Sequence, residues 1–406
     1  MVAYHFPPLA GSSGIQRTLR FVQQLPGFGW DPLVLTTSTF AYERVNDDLT
    51  DDVPAGVPVT RALALDAARH LSLAGRHIGA TARPDRWISW RFDGVRQGMA
   101  MIRRYRPDAI WSTFPIATAH VIGAELHRRS GLPWIADFRD PMAQDDYPTD
   151  PLTWESYRQT EEVALNHASR CLFTTRTAAR MYRERYPAAS ERIGVLENGF
   201  DEDSFTRVTA TSEPLNPGCV TLLHSGIVYP DERDPRALFA ALAALKLAMP
   251  DRVANLRVRF RAAVHEVLLA RLATEHDLGD MVQICPPVGY RDALAEMLRA
   301  DGLLVMQAAN CNAQVPAKVY EYLRARRPIV ALADPVGDTA SVVRDAGIDA
   351  IAPLDSTPEI MSLLSNWLQD HAQGRAQVAS DAAILAADRR SRTGELARLL
   401  TACVSR

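Results

Sequence analysis

Short apolar runs alternate with longer amphipathic stretches along the first half of the chain. Apolar residues at helical spacing predict helices over Ile15–Leu25, Gly94–Tyr105 and Ile116–Arg129. The shorter runs predict β-strands at Met1–Phe6, Pro32–Thr36, Pro58–Arg61, Ala109–Ser112, Trp134–Asp137, Cys171–Thr174 and Ile193–Leu196. Strand–helix alternation of this kind is typical of a parallel, doubly wound sheet.

The same alternation starts again in the second half. Strands are predicted at Val220–His224, Arg257–Ala262, Met281–Ile284, Leu303–Met306 and Ile329–Leu332. Helices are predicted at Pro235–Ala248, Val264–Glu275, Arg291–Leu298 and Pro316–Arg324. The sequence therefore predicts an α/β chain with two Rossmann-like, doubly wound parallel-sheet domains in series.

The length of the chain predicts the number of domains, and a polar stretch predicts the boundary between them. A chain of 406 residues is longer than one hydrophobic core usually supports, so we expect two domains. We place the N-terminal domain at 1–198, a polar linker at 199–217 and the C-terminal domain at 218–385. A last helical pattern over 386–406 either completes the second domain or crosses back to the first.

Charge and cysteine content exclude several classes of protein. The formal net charge is −3, which gives no electrostatic argument for nucleic-acid binding. The five cysteines are scattered, which argues against a disulfide framework and a zinc site and favours a reducing cytoplasm. No apolar run approaches the roughly 20 residues that span a bilayer. We expect a cytoplasmic protein at the inner face of the membrane.

A glycine- and serine-rich loop follows the first predicted strand. Gly11, Ser12, Ser13 and Gly14 stand between Phe6 and a predicted helix, where free backbone N–H groups face an anion or a sugar. We interpret these four residues as an acceptor-binding loop. A plain strand-to-helix turn would use the same residue types.

Three charged residues follow the strand that ends near Asp137. In open α/β sheets, ligands bind beyond the carboxyl ends of the strands. Asp137 and Asp140 are therefore candidate catalytic residues, and Arg139 a candidate acceptor-binding residue. The alternative is a self-satisfied ion-pair cluster that fixes the loop.

The first strand of the second domain is followed by a glycine turn and then by an arginine close to the N-terminus of a predicted helix. Gly226 ends that strand, and Arg233 lies just before the predicted helix Pro235–Ala248. Because arginine binds phosphate oxygens bidentately, we predict that Gly226 and Arg233 hold a phosphate. The alternative pairs Arg233 with Asp231 or Glu232 on a solvated loop.

A lysine and a glutamate share one face of the predicted helix Pro316–Arg324. Lys318 is notable because Lys318 and Lys246 are the only lysines among 45 basic residues. A cation in the first turn opposes the helix dipole unless an anion is bound there. We therefore predict that Lys318 binds phosphate and that Glu321 accepts ribose hydroxyls. The alternative is a surface salt bridge between the two.

Two further residues complete the predicted donor-binding set. Gln314 precedes the helix that carries Lys318, and Val288 precedes the helix predicted at Arg291–Leu298. Arg233 and Lys318 are also the predicted catalytic cations of this domain.

The sequence lacks the fingerprints of several other nucleotide sites. It has neither the P-loop motif nor G-x-G-x-x-G after the first strand, and no D-x-D on a strand edge. We therefore predict no metal and no cofactor. His5, His120 and His224 are candidate catalytic histidines, although such residues are more often part of the core.

Several of these motifs together resemble one subgroup of the bacterial family-four glycosyltransferases, which have the GT-B fold. The resemblance spans most of the chain in order. It rests on Tyr4–Pro8 with Gly11–Gly14 and Gln16-Arg17, Phe28–Trp30, Asp137–Pro141, Asn198–Asp201, and Pro316–Lys318 with Glu321-Tyr322.

This resemblance implies two domains that face each other across a cleft, with the nucleotide sugar bound mainly by the second. It also implies transfer with retention of anomeric configuration and without an essential metal. The family commonly has two glutamates eight positions apart at the donor site. Glu321 matches the second, but Ala313 occupies the position of the first.

We therefore expect a sugar transferase that acts from a nucleoside-diphosphate sugar on a hydroxyl of a glycan or lipid-linked acceptor. Its expected role is surface polysaccharide or glycoconjugate biosynthesis. An epimerase or hydrolase on the same fold is one alternative. A non-catalytic sugar-nucleotide-binding subunit is the other, because the first glutamate is missing.

One segment of the first domain is strongly basic. Residues 61–106 contain ten arginines against three aspartates, with Trp87, Ile88, Trp90 and Phe92 in the middle. Such a segment predicts a peripheral contact with an anionic membrane. Alternatively, the arginines pair with Asp47–Asp52 and the aromatic residues are core.

Overall fold

The computed structural model describes residues 1–10, 14–72, 82–145, 147–208 and 213–405. The chain forms two compact units, and each is described by itself. Unit 1 comprises Met1–Asn198 with Arg390–Arg406, and unit 2 comprises Gly199–Arg389.

The described part of unit 1 alternates strands and helices. Its strands are β1 (Val34–Thr37), β2 (Val59–Ala62), β3 (Ile110–Thr113), β4 (Trp134–Arg139), β5 (Arg170–Phe173) and β6 (Ile193–Val195). Its helices before residue 198 are α1 (Gly14–Gln24), α2 (Ala67–His70), α3 (Trp90–Tyr105), α4 (Thr118–Ser130), α5 (Pro151–His167) and α6 (Arg176–Arg185).

The strands of unit 1 are all parallel. β1 pairs with β2, and the order β3-β4-β5-β6 forms the other part of the sheet. Val2 bridges the two parts, because it pairs with Leu35 of β1 and with Ser112 of β3. The segment Met1–Phe6, predicted as a strand, contributes only the bridge residue Val2 to the sheet.

Unit 2 repeats the pattern. Its strands are β7 (Val220–Ser225), β8 (Leu256–Arg261), β9 (Val282–Cys285), β10 (Gly302–Gln307), β11 (Ile329–Ala333) and β12 (Ile351–Ala352). Its described helices are α7 (Glu202–Thr206), α8 (Arg236–Ala248), α9 (Pro250–Val253), α10 (Glu266–Glu275), α11 (Tyr290–Arg299), α12 (Lys318–Ala325), α13 (Asp338–Asp345), α14 (Thr357–Ala372) and α15 (Asp381–Ala386).

The sheet of unit 2 is parallel, with the order β12-β11-β10-β7-β8-β9. The chain runs outward from β7 through β8 and β9 and then returns to β10 on the other side of β7. β7 and β10 are therefore the neighbouring strands at which the strand order reverses. Ligands of doubly wound sheets bind beyond the carboxyl ends of such strands.

Burial explains why both sheets form. Every residue of β1, β3, β10 and β11 is buried. Strands that are buried along their whole length are expected where helices cover both faces of a parallel sheet. Both units are Rossmann-like, as the sequence predicts.

Part of the predicted linker belongs to the core of unit 2. Phe200 and Phe205 are buried in a cluster with Val319 and Leu323, and Asp201 caps α7. The polar composition of 199–217 is typical of a loop, but its two phenylalanines bury enough apolar area to anchor it. The final helix, α16 (Arg389–Val404), packs Leu396 and Leu400 into the core of unit 1.

Several helices were not among the predicted elements, including α5, α6, α13 and α14. The start of α5 carries a recognisable signal, because Asp150 caps the helix and Pro151 opens it. In the described part of the chain, no helix is both long enough and apolar enough to cross a bilayer.

Candidate functional site

The predicted donor residues of unit 2 meet at the switch point of its sheet. Gly226 follows β7, and Lys318 opens α12 after β10, so the parallel register brings both to one edge. A Cβ atom added to Gly226 would lie 2.7 Å from Nζ of Lys318. The two residues are thus in direct contact, as the sequence predicts for a common phosphate site.

Gly226 has a backbone conformation that other residues rarely adopt. Its φ is 121°, and its N–H donates to the carbonyl of Arg261 at 2.8 Å. A side chain here would be strained, and it would also displace the ammonium of Lys318. Glycine therefore keeps this corner open to a ligand.

His224 orients the ammonium of Lys318. Nζ lies 3.3 Å from Nε2 of the imidazole, and Nδ1 lies 2.9 Å from the carbonyl of Leu304. A carbonyl only accepts, so Nδ1 carries the proton and Nε2 is left as the acceptor for the ammonium. Burial, followed by the charge of Lys318, lowers the pKa of His224 well below its ordinary value. The imidazole is therefore neutral.

Lys318 has no carboxylate partner in the described part of the chain. The alternative pair with Glu321 does not form, because the contact of Lys318 is with His224. Burial, and then the charge of Arg233, lowers the pKa of Lys318 well below its ordinary value, while Glu321 acts in the opposite direction. A bound anion favours the charged form of a buried lysine that lies next to a second cation.

Arg233 likewise contacts no carboxylate among the described residues. Its Nη1 donates to the carbonyl of Ile227 at 2.7 Å, and its guanidinium lies 5.2 Å from the ring centre of Tyr229. Its Nε is buried and lacks a hydrogen-bond partner. The alternative pairing with Asp231 or Glu232 is not formed, so Lys318 and Arg233 are two close cations without a counter-charge.

Tyr290 holds the carboxylate of Glu321. The phenol donates to Oε1 at 2.8 Å, and burial is the main cause of a raised pKa of Glu321. Tyr290 was not among the predicted site residues, although it opens α11 only two residues after the predicted Val288. Glu321 lies in the first turn of α12, on the helix that carries Lys318.

Val288 and Gln314 lie in loops near these helices. The side chain of Val288 is 41% exposed, in the loop before α11. The carbonyl of Gln314 accepts from Thr339 at 3.0 Å, which fixes the loop ahead of α12. A direct donor contact for either residue stays a prediction. Asn312, next to Ala313, donates to Asp334 at 2.6 Å.

Asp137 in unit 1 is part of a buried ion pair. Arg17 on α1 donates through Nε and Nη2 to its two oxygens, both at 2.8 Å, and Thr113 donates at 3.0 Å. Asp137 is fully buried. The carboxylate of Asp137 therefore holds α1 against β4, and its catalytic role stays a prediction. The partner comes from a distant helix that no local spacing reveals.

Arg139 and Asp140 lie at the end of β4. Arg139 has a φ of 63°, a left-handed conformation that is uncommon for a residue with a side chain. Its Nη1 donates to the carbonyl of Phe114 at 3.3 Å, and its Nε is buried without a hydrogen-bond partner. Asp140 accepts from Thr174 at 3.3 Å, and burial raises its pKa.

Gly14 lies next to the guanidinium of Arg139 in unit 1. A Cβ atom at Gly14 would lie 2.9 Å from Nη1 of Arg139 and would collide with Nδ1 of His5. Burial, helped by the charge of Arg139, lowers the pKa of His5 to about 3. The predicted acceptor residues Gly14 and Arg139 therefore come together. Gly11, Ser12 and Ser13 lie outside the described residues.

The described residues contain no group of three or more histidine, cysteine, aspartate or glutamate side chains suited to a metal ion. The predicted donor position of unit 2 has two cations, Lys318 and Arg233, and the predicted acceptor position of unit 1 has Arg139.

Comparison with known proteins gives a family and a fold. Residues 13–199 match the family described as "Glycosyl transferase 4-like domain". No curated protein matches the chain in sequence.

Among solved structures, Anabaena HepE in complex with UDP-glucose has a TM-score of 0.66 at 15% identity, covering 99% of both chains. WaaG, a glycosyltransferase involved in lipopolysaccharide biosynthesis, has a TM-score of 0.66 at 16% identity, covering 99% of this chain and 100% of WaaG. Sucrose-phosphate synthase from Thermosynechococcus elongatus has a TM-score of 0.63 at 13% identity, covering 100% of this chain and 96% of the synthase.

The two Rossmann-like units, the domain match and these similarities agree with one another. Residues 13–199 match a glycosyl transferase 4-like domain, and the chain as a whole has the GT-B fold of these glycosyltransferase structures.

Proposed function

We propose that the chain is a retaining, metal-independent hexosyltransferase that moves a sugar from a nucleoside-diphosphate sugar to a hydroxyl. The acceptor is a glycan or a lipid-linked sugar of surface polysaccharide or glycoconjugate biosynthesis. The observation that carries the proposal is the pair Lys318 and Arg233, two close cations without a carboxylate partner in the described chain.

A diphosphate matches this pair in charge and in hydrogen bonding. The ammonium and the guanidinium donate to phosphate oxygens, and charge-assisted bonds of this kind are the strong ones. HepE, which has a similar fold, binds UDP-glucose. A nucleotide sugar is therefore the proposed donor.

Glu321 is the proposed ribose contact. Its carboxylate, held by Tyr290, accepts hydrogen bonds from neighbouring hydroxyls. Lys318 and Glu321 then bind adjacent parts of one nucleotide, because they lie one turn apart on α12.

The proposed transfer breaks the bond between the sugar carbon and the diphosphate oxygen and forms a bond from that carbon to the acceptor oxygen. Negative charge grows on the leaving diphosphate, where Lys318 and Arg233 stabilise it. The leaving phosphate takes the acceptor proton, so the step needs no separate protein base.

The proposed acceptor contacts are Arg139 and Gly14 in unit 1, with Gly11, Ser12 and Ser13 in the same loop of the sequence. The unpartnered Nε of Arg139 supplies a hydrogen-bond donor for an acceptor hydroxyl. Asp140, beside it, is a proposed catalytic residue.

A thermal-unfolding screen against nucleoside diphosphates and their sugars tests the donor proposal. Ligand at a hundredfold over its Kd adds about 2.7 kcal/mol of stability. We expect stabilisation by a nucleoside diphosphate in the wild type and none in Lys318→Met. The absence of stabilisation by every nucleoside diphosphate would overturn the proposal.

A non-catalytic binding subunit is a second candidate, because Ala313 stands where the family commonly has a glutamate. Assays with the stabilising donor separate the two. Transfer to any glycan or lipid-linked acceptor supports the transferase, whereas donor binding without turnover on any acceptor supports the binding subunit.

A further inference from the structure

Unit 1 contains a groove that the proposed reaction does not use. The groove has a volume of about 1030 Å³ and runs along α4, which packs against α3 on one side and α5 on the other. Val121 and Ala124 lie on α4, with Met99 on α3 and Val163 on α5. These apolar side chains form the surface that we call the α4 groove.

Arginines surround this apolar surface. Six line the α4 groove: Arg83, Arg91, Arg96, Arg103, Arg128 and Arg129. Glu125, the one acidic residue among the described lining residues, is already bound by Arg128 at 2.7 Å and Arg129 at 2.5 Å. Arg91 and Arg103 have no ion pair within the described chain. The α4 groove is therefore positively charged.

Arg91 and Arg103 belong to the strongly basic segment 61–106. None of its described arginines pairs with Asp47–Asp52, so that alternative is not formed. Its aromatic residues divide between core and surface: Trp90 is fully buried, whereas Phe92 is 73% exposed and lines the α4 groove. Arg91 stacks near Phe92, with its guanidinium 5.2 Å from the ring centre.

One residue of the α4 groove, His120, has a buried polar atom. His120 is fully buried, and its Nε2 has no hydrogen-bond partner. Ser112 accepts from Trp134 at 2.8 Å and lies 2.7 Å from Nδ1 of His120, so the hydroxyl can donate to Nδ1. Burial lowers the pKa of His120 to about 4, which leaves a neutral ring.

We propose that the α4 groove binds an anionic phospholipid of a membrane surface. One acyl chain lies along Val121 and Ala124, and the phosphate is held by the arginines of the rim. An acyl chain suits the apolar side chains of Val121 and Ala124 because it has no backbone polar groups that would be buried there. A peptide would leave its N–H and C=O groups unpaired there. The proposal is independent of the donor site in unit 2.

Co-sedimentation with vesicles tests the proposal on the full chain. We expect binding to phosphatidylglycerol in phosphatidylcholine at low ionic strength, weaker binding at high ionic strength, and none to pure phosphatidylcholine. Arg91→Glu with Arg103→Glu should lower the affinity by at least about 30-fold, since each surface cation contributes about 1 kcal/mol. Donor binding in unit 2 should not change in this variant.

Two further variants separate the α4 groove from general attraction between charges. Arg176→Glu with Arg180→Glu makes the same charge change on exposed residues of α6 and should have less than about a threefold effect. Ala124→Phe fills the apolar part of the α4 groove without changing the charge. It should lower the affinity for anionic vesicles about tenfold, because less of the acyl chain can be buried.

Soluble ligands distinguish a lipid from a phosphate. Short-chain phosphatidylglycerol below its micelle concentration should bind, whereas glycerol phosphate should not. The proposal fails if anionic vesicles are not bound at low ionic strength. It also fails if the α6 variant loses as much affinity as the α4-groove variant, or if Ala124→Phe binds as the wild type does.

Discussion

Nζ of Lys318 lies 3.3 Å from Nε2 of His224, a neutral imidazole that donates its one proton to the carbonyl of Leu304. The neutral ring gives Lys318 a hydrogen-bond acceptor without neutralising its charge. The ammonium is therefore fixed in place while its counter-charge is left to a ligand.

Removing the ammonium should weaken donor use. We expect Lys318→Ala to lower kcat/KM by about 10- to 150-fold, because a hydrogen bond to a charged group contributes about 1.5–3 kcal/mol. Lys246→Ala is the matched control, since Lys246 pairs with Asp277 on the surface. Steady-state kinetics with the donor identified by thermal unfolding measures both. Equal values for Lys318→Ala and the wild type would refute the assigned role.

Donor binding should take up a proton. In the free protein, burial and Arg233 lower the pKa of Lys318, so part of the population is neutral at a pH where ordinary lysines are charged. A diphosphate favours the ammonium, so affinity should fall by up to about tenfold per pH unit above that lowered pKa.

Calorimetry in two buffers of different ionisation enthalpy measures this uptake, at a pH where UDP is fully ionised. Lys318→Arg is the control, because a guanidinium stays charged throughout. The same uptake in Lys318→Arg as in the wild type would show that another group takes the proton.

A side chain at Gly226 should damage both stability and binding. With a φ of 121°, Gly226→Ala should cost about 1–3 kcal/mol of unfolding free energy and move the ammonium of Lys318. Gly279→Ala is the control, because nothing lies within 4 Å of a Cβ there. Chemical denaturation and UDP titration give the two quantities. Unchanged UDP affinity in Gly226→Ala would contradict the contact with Lys318.

Transfer should survive chelation. The two cations provide the charge that a divalent metal would otherwise supply, so we expect full activity in excess EDTA. Loss of activity with EDTA and recovery with Mg²⁺ or Mn²⁺ would count decisively against this electrostatic arrangement.

The buried pair Arg17–Asp137 should be structural. Asp137→Asn leaves the guanidinium without its charge partner and should cost about 3–5 kcal/mol of unfolding free energy. Glu125→Gln breaks exposed pairs and should cost less than about 1 kcal/mol. Urea unfolding compares the two variants. A stable but inactive Asp137→Asn protein would support the catalytic interpretation.

The sequence was sufficient to predict the two sheets and the proximity of Gly226 and Lys318. Strand–helix alternation follows from apolar spacing, and the carboxyl ends of neighbouring parallel strands must share one edge. Lys318 could be singled out because a cation in the first turn of a helix needs an anion. These arguments use only local sequence and the topology of a parallel sheet.

The contacts that complete the sites depend on packing and could not be predicted. Tyr290 reaches Glu321 from another helix, and His224 meets Lys318 from the neighbouring strand. The ion pair of Asp137 could not be foreseen for the same reason, since its partner Arg17 is supplied by α1. Spacing along the chain contains no information about which distant helix packs onto a strand end.

The placement of α16 has a consequence for how the chain folds during its synthesis. Leu396 and Leu400 complete a core that also contains Ala3 and Trp111, so unit 1 needs residues from the far end of the sequence. Ribosomes add about 5–20 residues per second, so roughly 200 residues of unit 2 take about 10–40 s to follow unit 1. Unit 2 is continuous and can fold first. The earlier-made unit stays incomplete throughout, with an apolar surface that chaperones bind, until the last helix leaves the ribosome.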